Sequence, residues 1–549
     1  MYRLTLVPLL LTALLGGTGT AVAQDSDDLF GEVIDVRVMN LEVVVTEDGA
    51  RVHGLGPEDF VLEVDGEQVP IEYFTEVVGG TATVRTGAGD ATVPALAPGE
   101  PVGTSYLLFI DEFFSIARDR DQVLDGFIEQ LPNLTPADRM AIIAYDGKNI
   151  EMLSNWSQSV PGITSILRRA KARPAYGLQR RAERRSFETR TEVESLGFVA
   201  GRGNITNNPL QRSLLIEEEQ FARQVSSQVQ NAVMAASSAL RSFANPPGRK
   251  AMILLSGGWP GDPAMWVAGD PVRAVNYNGV DRGQRLLDPL AQTANRLGYS
   301  LYTVDVPGIS DFDGEASFAT VGEANIRRQE RFEREREEES ALIQLAERTG
   351  GKALLNSTNR DAFERTVADT RSYYWLGFTP TWKGDDSNHR VEVRVLRKGL
   401  KTRTRKDFTD LSRSSEVSMM VESALRFGDP PSAAPLKVQV GRGKRAGWGK
   451  RDVPLAVRIP LDSVAFLPTA EGFEAKVELR VAVLDEGGNT SDIPVIPLDL
   501  QAQREPVTDD YTVFETSLRM RNQQHDLVVS IYDRTSGKIL STKVQVASK

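Results

Sequence analysis

Four short apolar runs set the tightest limit on what this chain can fold into. Tyr106–Ile110, Met140–Tyr145, Ala251–Leu255 and Tyr299–Val304 are continuous or nearly continuous in apolar residues. Runs of this length without alternation fit strands buried on both faces, and that means a parallel sheet covered by helices. Amphipathic segments lie between them. Ile116, Val123, Leu124, Phe127, Ile128 and Leu131 make one helical face. A longer face runs through Leu214, Phe221, Val225, Val229, Val233, Ala236, Leu240 and Phe243, and Pro246-Pro247 stops it. The expectation is a doubly wound (Rossmann-like) α/β domain over residues 105–410. Its binding crevice should lie beyond the carboxyl ends of the strands.

The flanks alternate differently. In residues 24–78, Val43 and Val45, then Phe60, Leu62 and Val64, then Val69, Ile71 and Tyr73 sit two apart. Asp48-Gly49 and Asp65-Gly66 between the runs are hairpin turns by composition. A small antiparallel β domain is expected there, joined by a Gly-, Ala-, Thr- and Pro-rich linker over 79–104. His389–Leu396 and Lys401–Arg405 suggest a polar hairpin closing the α/β domain. After a second linker, 411–435, residues 436–549 carry alternating runs at Leu455/Val457/Ile459, Val477 to Val483 and Leu527 to Tyr532. Their spacing suits an all-β, immunoglobulin-like sandwich. Two insertions are expected inside the α/β domain. One, near 168–213, is Arg-rich and reads as a solvated loop; the other, near 310–340, reads as an exposed, ion-paired helix over Ile326–Glu338.

Arg3, the apolar stretch Leu4–Leu15 and the Ala21-Val22-Ala23 pattern before Gln24 match a secretory signal peptide over residues 1–23. The protein is therefore expected to be exported, either periplasmic or secreted, with no transmembrane segment. The formal net charge of -11 disfavours nucleic acid as a partner. The chain has no cysteine and three scattered histidines, His53, His389 and His525. Thiol chemistry and cysteine-ligated metals are excluded, and little remains for a histidine site. No P-loop, nucleophile elbow or H-E-x-x-H pattern occurs.

The first buried strand ends at Asp111-Glu112-Phe113-Phe114-Ser115. Together with Asn40–Thr46, Gly54–Phe60, Lys250–Ser256 and Tyr374–Pro380, this order of segments resembles the von Willebrand factor A-related proteins of the acidobacterial type. The resemblance covers roughly residues 33–408. It implies a metal-ion-dependent adhesion site, with Asp-x-Ser-x-Ser after the first strand, a Thr from a later loop and an Asp-Gly after a middle strand. Asp111 and Ser115 match that pattern, and Thr206 is the candidate for the later Thr. Phe113 stands in place of the first Ser, and Ser256-Gly257-Gly258 in place of Thr-Asp-Gly. A hard divalent cation such as Mg²⁺ wants about six oxygens, so the site is degenerate and no cofactor is the expectation. The competing account has Asp111 and Ser115 capping the next helix. Glu112 should point away from Asp111, because successive strand residues face opposite sides.

The resemblance implies a non-enzymatic binding or adhesion protein that meets a protein partner at the bacterial cell envelope. Two alternatives stay open. One is a carboxylate-dependent hydrolase or glycan-active enzyme, the other a structural or assembly factor of the envelope.

Overall fold

The structure is a computed structural model. It describes the chain apart from residues 1–37, 84–98, 188–208, 244–245, 270, 307–320, 356–359, 427–429, 431, 435, 448, 471, 487–492 and 548–549. Residues 37–410 form one compact unit and residues 411–549 belong to another. The expected signal peptide and Thr206 lie outside the described residues.

The first unit contains strands β1 (Met39–Glu47), β2 (Ala50–Arg51), β3 (Phe60–Val64), β4 (Glu67–Val69), β5 (Tyr73–Val78) and β6 (Thr81–Thr83). There follow β7 (Thr104–Asp111), β8 (Arg139–Tyr145), β9 (Ile150–Ser157), β10 (Arg249–Ser256), β11 (Tyr299–Asp305) and β12 (Lys352–Leu354). The last are β13 (Tyr373–Phe378), β14 (Asn388–Val395), β15 (Lys401–Arg403) and β16 (Asp407–Thr409). Its helices are α1 (Ala117–Gln130), α2 (Val160–Lys171), α3 (177–187), α4 (Pro209–Ser242) and α5 (Pro263–Ala268). Beyond these lie α6 (Pro271–Ala274), α7 (Gln284–Leu297), α8 (Val321–Arg348) and α9 (Ala362–Thr370).

The four apolar runs are the four central strands of a sheet ordered β12-β11-β10-β7-β8-β9. All pair in parallel except the edge strand β9. Tyr106, Leu108 and Ile110 of β7 pack with Val123, Leu124 and Phe127 of α1, Ile163 and Leu167 of α2, and Phe363 and Val367 of α9. The alternate side chains face the other helical layer, where the Thr303 hydroxyl donates to the Leu342 carbonyl of α8 (2.9 Å). Helices on both faces explain why β7 is buried at every position.

The flanking β structure departs from expectation. The N-terminal strands do not make a domain of their own. β1 pairs with β13 (Leu41 opposite Leu376) and with β15, and β3 pairs with β14 (Leu62 opposite Val393). Two sheets result, β15-β1-β13-β5-β6 and β16-β14-β3-β4. Leu41, Val43, Tyr374 and Leu376 of the first share a core with Phe60, Leu62, Val391 and Phe408 of the second. Strands this short have too little apolar face to stand alone, so they complete one another from both ends of the unit. For the same reason β14 and β15 are not a hairpin; each pairs with an N-terminal strand. The expected linker 79–104 begins with β6, paired to β5. Both Asp-Gly turns are as expected, with φ of 47° and 87° at Asp48-Gly49 and 52° and 86° at Asp65-Gly66.

The second unit opens with helix α10 (Arg413–Arg426), where the sequence suggested a linker. Its strands are β17 (Lys437–Val440), β18 (Lys444–Arg445), β19 (Lys450–Pro460), β20 (Leu467–Thr469) and β21 (Gly472–Asp485). β22 (Val495–Ala502), β23 (Tyr511–Arg521), β24 (His525–Asp533) and β25 (Ile539–Val546) follow. One sheet runs β17-β19-β23, with β18 also on β19; the other runs β22-β21-β24-β25, with β20 on β21. Val453, Leu455, Val457 and Ile459 meet Val477, Leu479, Leu527 and Val529 between them. Val417, Val421 and Leu425 of α10 cover Ala482 and Val528 on the outer face of the second sheet. The chain as a whole is thus a mixed α/β protein rich in β-sheet.

Candidate functional site

The parallel register brings the carboxyl ends of β7, β10 and β11 into one row, with Ser256 opposite Asp305 and Leu255 opposite Ile110. Asp111 therefore sits at the centre of the edge where such sheets bind ligands. It is fully buried. Its Oδ2 accepts from the Ser256 hydroxyl (2.7 Å) and from the Trp259 indole Nε1 (2.8 Å). Oδ1 accepts from the backbone N–H groups of Phe113 (3.1 Å) and Phe114 (3.2 Å). A carboxylate offers about four acceptor positions, and here the protein fills them. Burial nevertheless outweighs these four donors and raises the Asp111 pKa above the usual carboxylate range.

The neighbours of Asp111 close the edge further. Trp259 is fully buried, on the turn that leaves β10. That turn needs Gly258, whose φ is 93° and where a Cβ would lie 2.8 Å from the Glu338 Cβ. Ser115 is also fully buried, and among the described residues its hydroxyl has no hydrogen-bond partner. It does not cap α1, whose first turn is preceded by Ile116 with no side-chain cap. Asp111 instead caps the tight turn at Phe113 and Phe114. Glu112 points away, as strand alternation requires: Arg173 donates to it through Nε (2.6 Å) and Nη2 (3.3 Å), and Arg120 lies 3.9 Å away. Hydrogen bonding to Glu112 raises the Arg173 pKa.

Up to residue 187, the described part of the Arg-rich insertion is not the solvated loop that its composition suggests. Leaving α2, the chain folds back over the edge. Tyr176 N–H donates to the Glu112 carbonyl (2.8 Å) and Gly177 N–H to the Ser115 carbonyl (2.9 Å). A Cβ at Gly177 would stand 2.6 Å from that carbonyl carbon, so only glycine allows the approach. On α3, the Arg180 guanidinium lies 4.6 Å from the centre of the Phe113 ring, and that of Arg184 lies 4.7 Å from Trp266. Phe187 stacks on Phe221 of α4 at 4.4 Å. Arg184 is buried, with the Trp266 ring against its guanidinium. The second insertion is likewise not wholly exposed: Glu338 of α8 is buried and accepts from Trp266 Nε1 (2.8 Å).

These residues do not fit the divalent cation that the sequence resemblance implies. Asp111, the carboxylate that the resemblance puts first, has both its oxygens occupied. The Ser256 hydroxyl is committed to it, as is the Trp259 indole, and Phe113 and Gly257 stand where the pattern calls for a hydroxyl and a carboxylate. Among the described residues, no group of three or more Asp, Glu, His or Cys is placed to hold a metal. Asp305, at the end of β11, is another acid on this edge; burial and the nearby Glu339 raise its pKa to about 6. Sequence reasoning missed Trp259, Trp266 and Glu338. The usable sign was a Gly-Gly-Trp directly after a strand-end serine.

A second buried carboxylate lies at the opposite end of the same sheet. Asp369 of α9 accepts from Arg51 Nη2 (2.7 Å), Arg403 Nη2 (2.6 Å) and the Tyr302 hydroxyl (2.7 Å). Arg249, fully buried, donates to the Thr370 carbonyl (3.0 Å) and lies 4.4 Å from the Tyr373 ring centre. Burial pulls the Asp369 pKa up, but Arg403, Arg51 and Arg249 overturn that and hold it at about 2.

No family model and no curated protein matches the chain. Among solved structures, the pilus adhesin SpaC from Lactobacillus rhamnosus GG aligns at 9% identity and TM-score 0.22, over 80% of this chain and 56% of that one. A beta-glucuronidase from Bacteroides uniformis aligns at 8% identity and TM-score 0.15, over 33% of this chain and 20% of the enzyme. A protein from Archaeoglobus fulgidus aligns at 11% identity and TM-score 0.14, over 21% of this chain and 95% of its own. At such scores none of the three carries an argument. Among the described residues, no helix is long and apolar enough to cross a membrane.

Proposed function

We propose that this is an exported, non-catalytic binding protein that acts through protein–protein contact at the cell envelope. Its central domain, on this proposal, is of the von Willebrand factor A type with a degenerate adhesion site, and its C-terminal sandwich is immunoglobulin-like. The observation that supports the proposal is Asp111. The carboxylate that would lead either a metal site or a catalytic centre is fully buried and takes four hydrogen bonds from the protein itself. Recognition then falls to the outer surfaces rather than to the crevice. The test is calorimetric titration of residues 24–549 with Mg²⁺, Mn²⁺ and Ca²⁺, beside Asp111→Ala. No heat of binding is expected in either protein. A binding heat that disappears in the variant would sink the proposal.

A carboxylate-dependent hydrolase has one observation in its favour, the Asp305 carboxyl held near pH 6, where a general acid works well. Hydrolysis of a glycan or ester that is lost in a folded Asp305→Asn variant would put that function first.

A further inference from the structure

The longer edge strands of the C-terminal sandwich are treated unequally. β25 is covered: Ala433 N–H donates to the Ile539 carbonyl (2.7 Å), and Ser541 N–H donates to the Ser432 hydroxyl (2.9 Å). β17 is only 4 residues long and lies against β25. β22 carries Pro497 in its middle, which removes a backbone donor from that edge. β23 has none of these protections. It runs 11 residues with neither proline nor glycine, in unbroken register with β19 from Tyr511 to Arg521. Among the described residues, no strand pairs with its other edge. Long unguarded edges of this kind are templates for strand addition.

The side chains of β23 indicate what adds to it. Its solvent face presents Tyr511, Val513, Glu515, Ser517, Arg519 and Arg521, with Tyr511 50% and Val513 47% exposed. Glu515 and Arg519 stand two residues either side of Ser517. An antiparallel pairing of two β23 strands about Ser517 therefore puts Glu515 of each copy directly opposite Arg519 of the other. Val513 falls opposite Arg521, whose aliphatic stem it can cover. No like charges are opposed. Asp452 already holds the Arg519 guanidinium on this face, accepting from Nε (2.8 Å) and Nη2 (3.1 Å), so it is preorganised for a second carboxylate.

We infer that β23 is a homodimerisation edge, and that two copies of the chain join antiparallel about Ser517 into one continuous sheet. This does not depend on the function proposed for the crevice. The full exported chain should sediment as a dimer whose population grows with concentration. Glu515→Arg opposes two pairs of like charges at once, as does Arg519→Glu, and each should weaken the dimer roughly tenfold or more. Mixing the two variants restores both Glu–Arg pairs, so a heterodimer should form where neither variant pairs with itself. Ser517→Cys, the sole cysteine in a chain that has none, should give a disulfide-linked dimer on mild oxidation. A wild-type chain that stays monomeric at every concentration would overturn the inference. So would dimers that both charge reversals leave intact, or a mixture that forms no heterodimer.

Discussion

Asp111 and Asp369 are buried carboxylates at the two ends of one sheet, and their surroundings act on them in opposite ways. Neutral donors surround Asp111: a hydroxyl, an indole and two backbone amides. They satisfy its geometry but not its charge, and its pKa rises. Guanidinium groups surround Asp369, and its pKa falls to about 2. Hydrogen-bond satisfaction and charge compensation are thus separate quantities. Here the first seals a crevice, and the second pins β2 and β15 onto the α/β core.

The largest effect that would test this contrast is expected at the amino end. Asp369→Ala leaves three guanidinium groups around a vacated carboxylate, and removing one partner of such a buried cluster costs about 3–5 kcal/mol. Denaturant unfolding should show it, and a loss below about 1 kcal/mol would mean that the arginines find water instead. Asp111→Asn should cost less, about 2–3 kcal/mol, because one amide oxygen still accepts while the new NH₂ faces existing donors. If Asp111→Asn proves the more damaging, hydrogen-bond satisfaction outweighs charge compensation in this fold.

A finer test uses pH. Asp369 titrates below the unfolded value of about 3.9, so its contribution is full above roughly pH 4 and is lost as pH falls towards 2. Asp305 titrates near 6, above that value, so it costs stability as pH rises from about 4 to 6, and the cost is full above 6. Asp305→Asn should then be more stable than wild type at pH 7, by at most about 3 kcal/mol for a shift of about two pKa units, with the gain fading below pH 4. Thermal unfolding across that window measures it. An advantage independent of pH would show that the aspartate is not the group responsible.

The central strands were legible because burial on both faces writes itself as continuous apolar sequence, and β7 and β10 fall on the runs that announce them. Both Asp-Gly turns were legible because the required φ values are local. Partnership between distant strands was not. Alternation in β3 and β14 says that each has an inner face, but nothing in either says that Leu62 lies opposite Val393. At the site, the position of Asp111 and the outward turn of Glu112 could be read from strand end and alternation. The closure over it could not, because Arg180 and Arg184 look like solvent residues until aromatic rings are found beneath them.

The partnership of the N-terminal strands also sets a timetable. Arg51 finds Asp369 at a separation of 318 residues, and Glu63 finds Arg394 at 331. A ribosome adding roughly 5–20 residues per second leaves β1 and β3 with only their short hairpin neighbours, and without β13, β14 and β15, for about 15–60 s. During that interval Leu41, Val43 and Leu62 lack the apolar partners that β13 and β14 later bring. A holdase that keeps the nascent chain open would suit this topology well, and the earliest residues made would be among the last to fold.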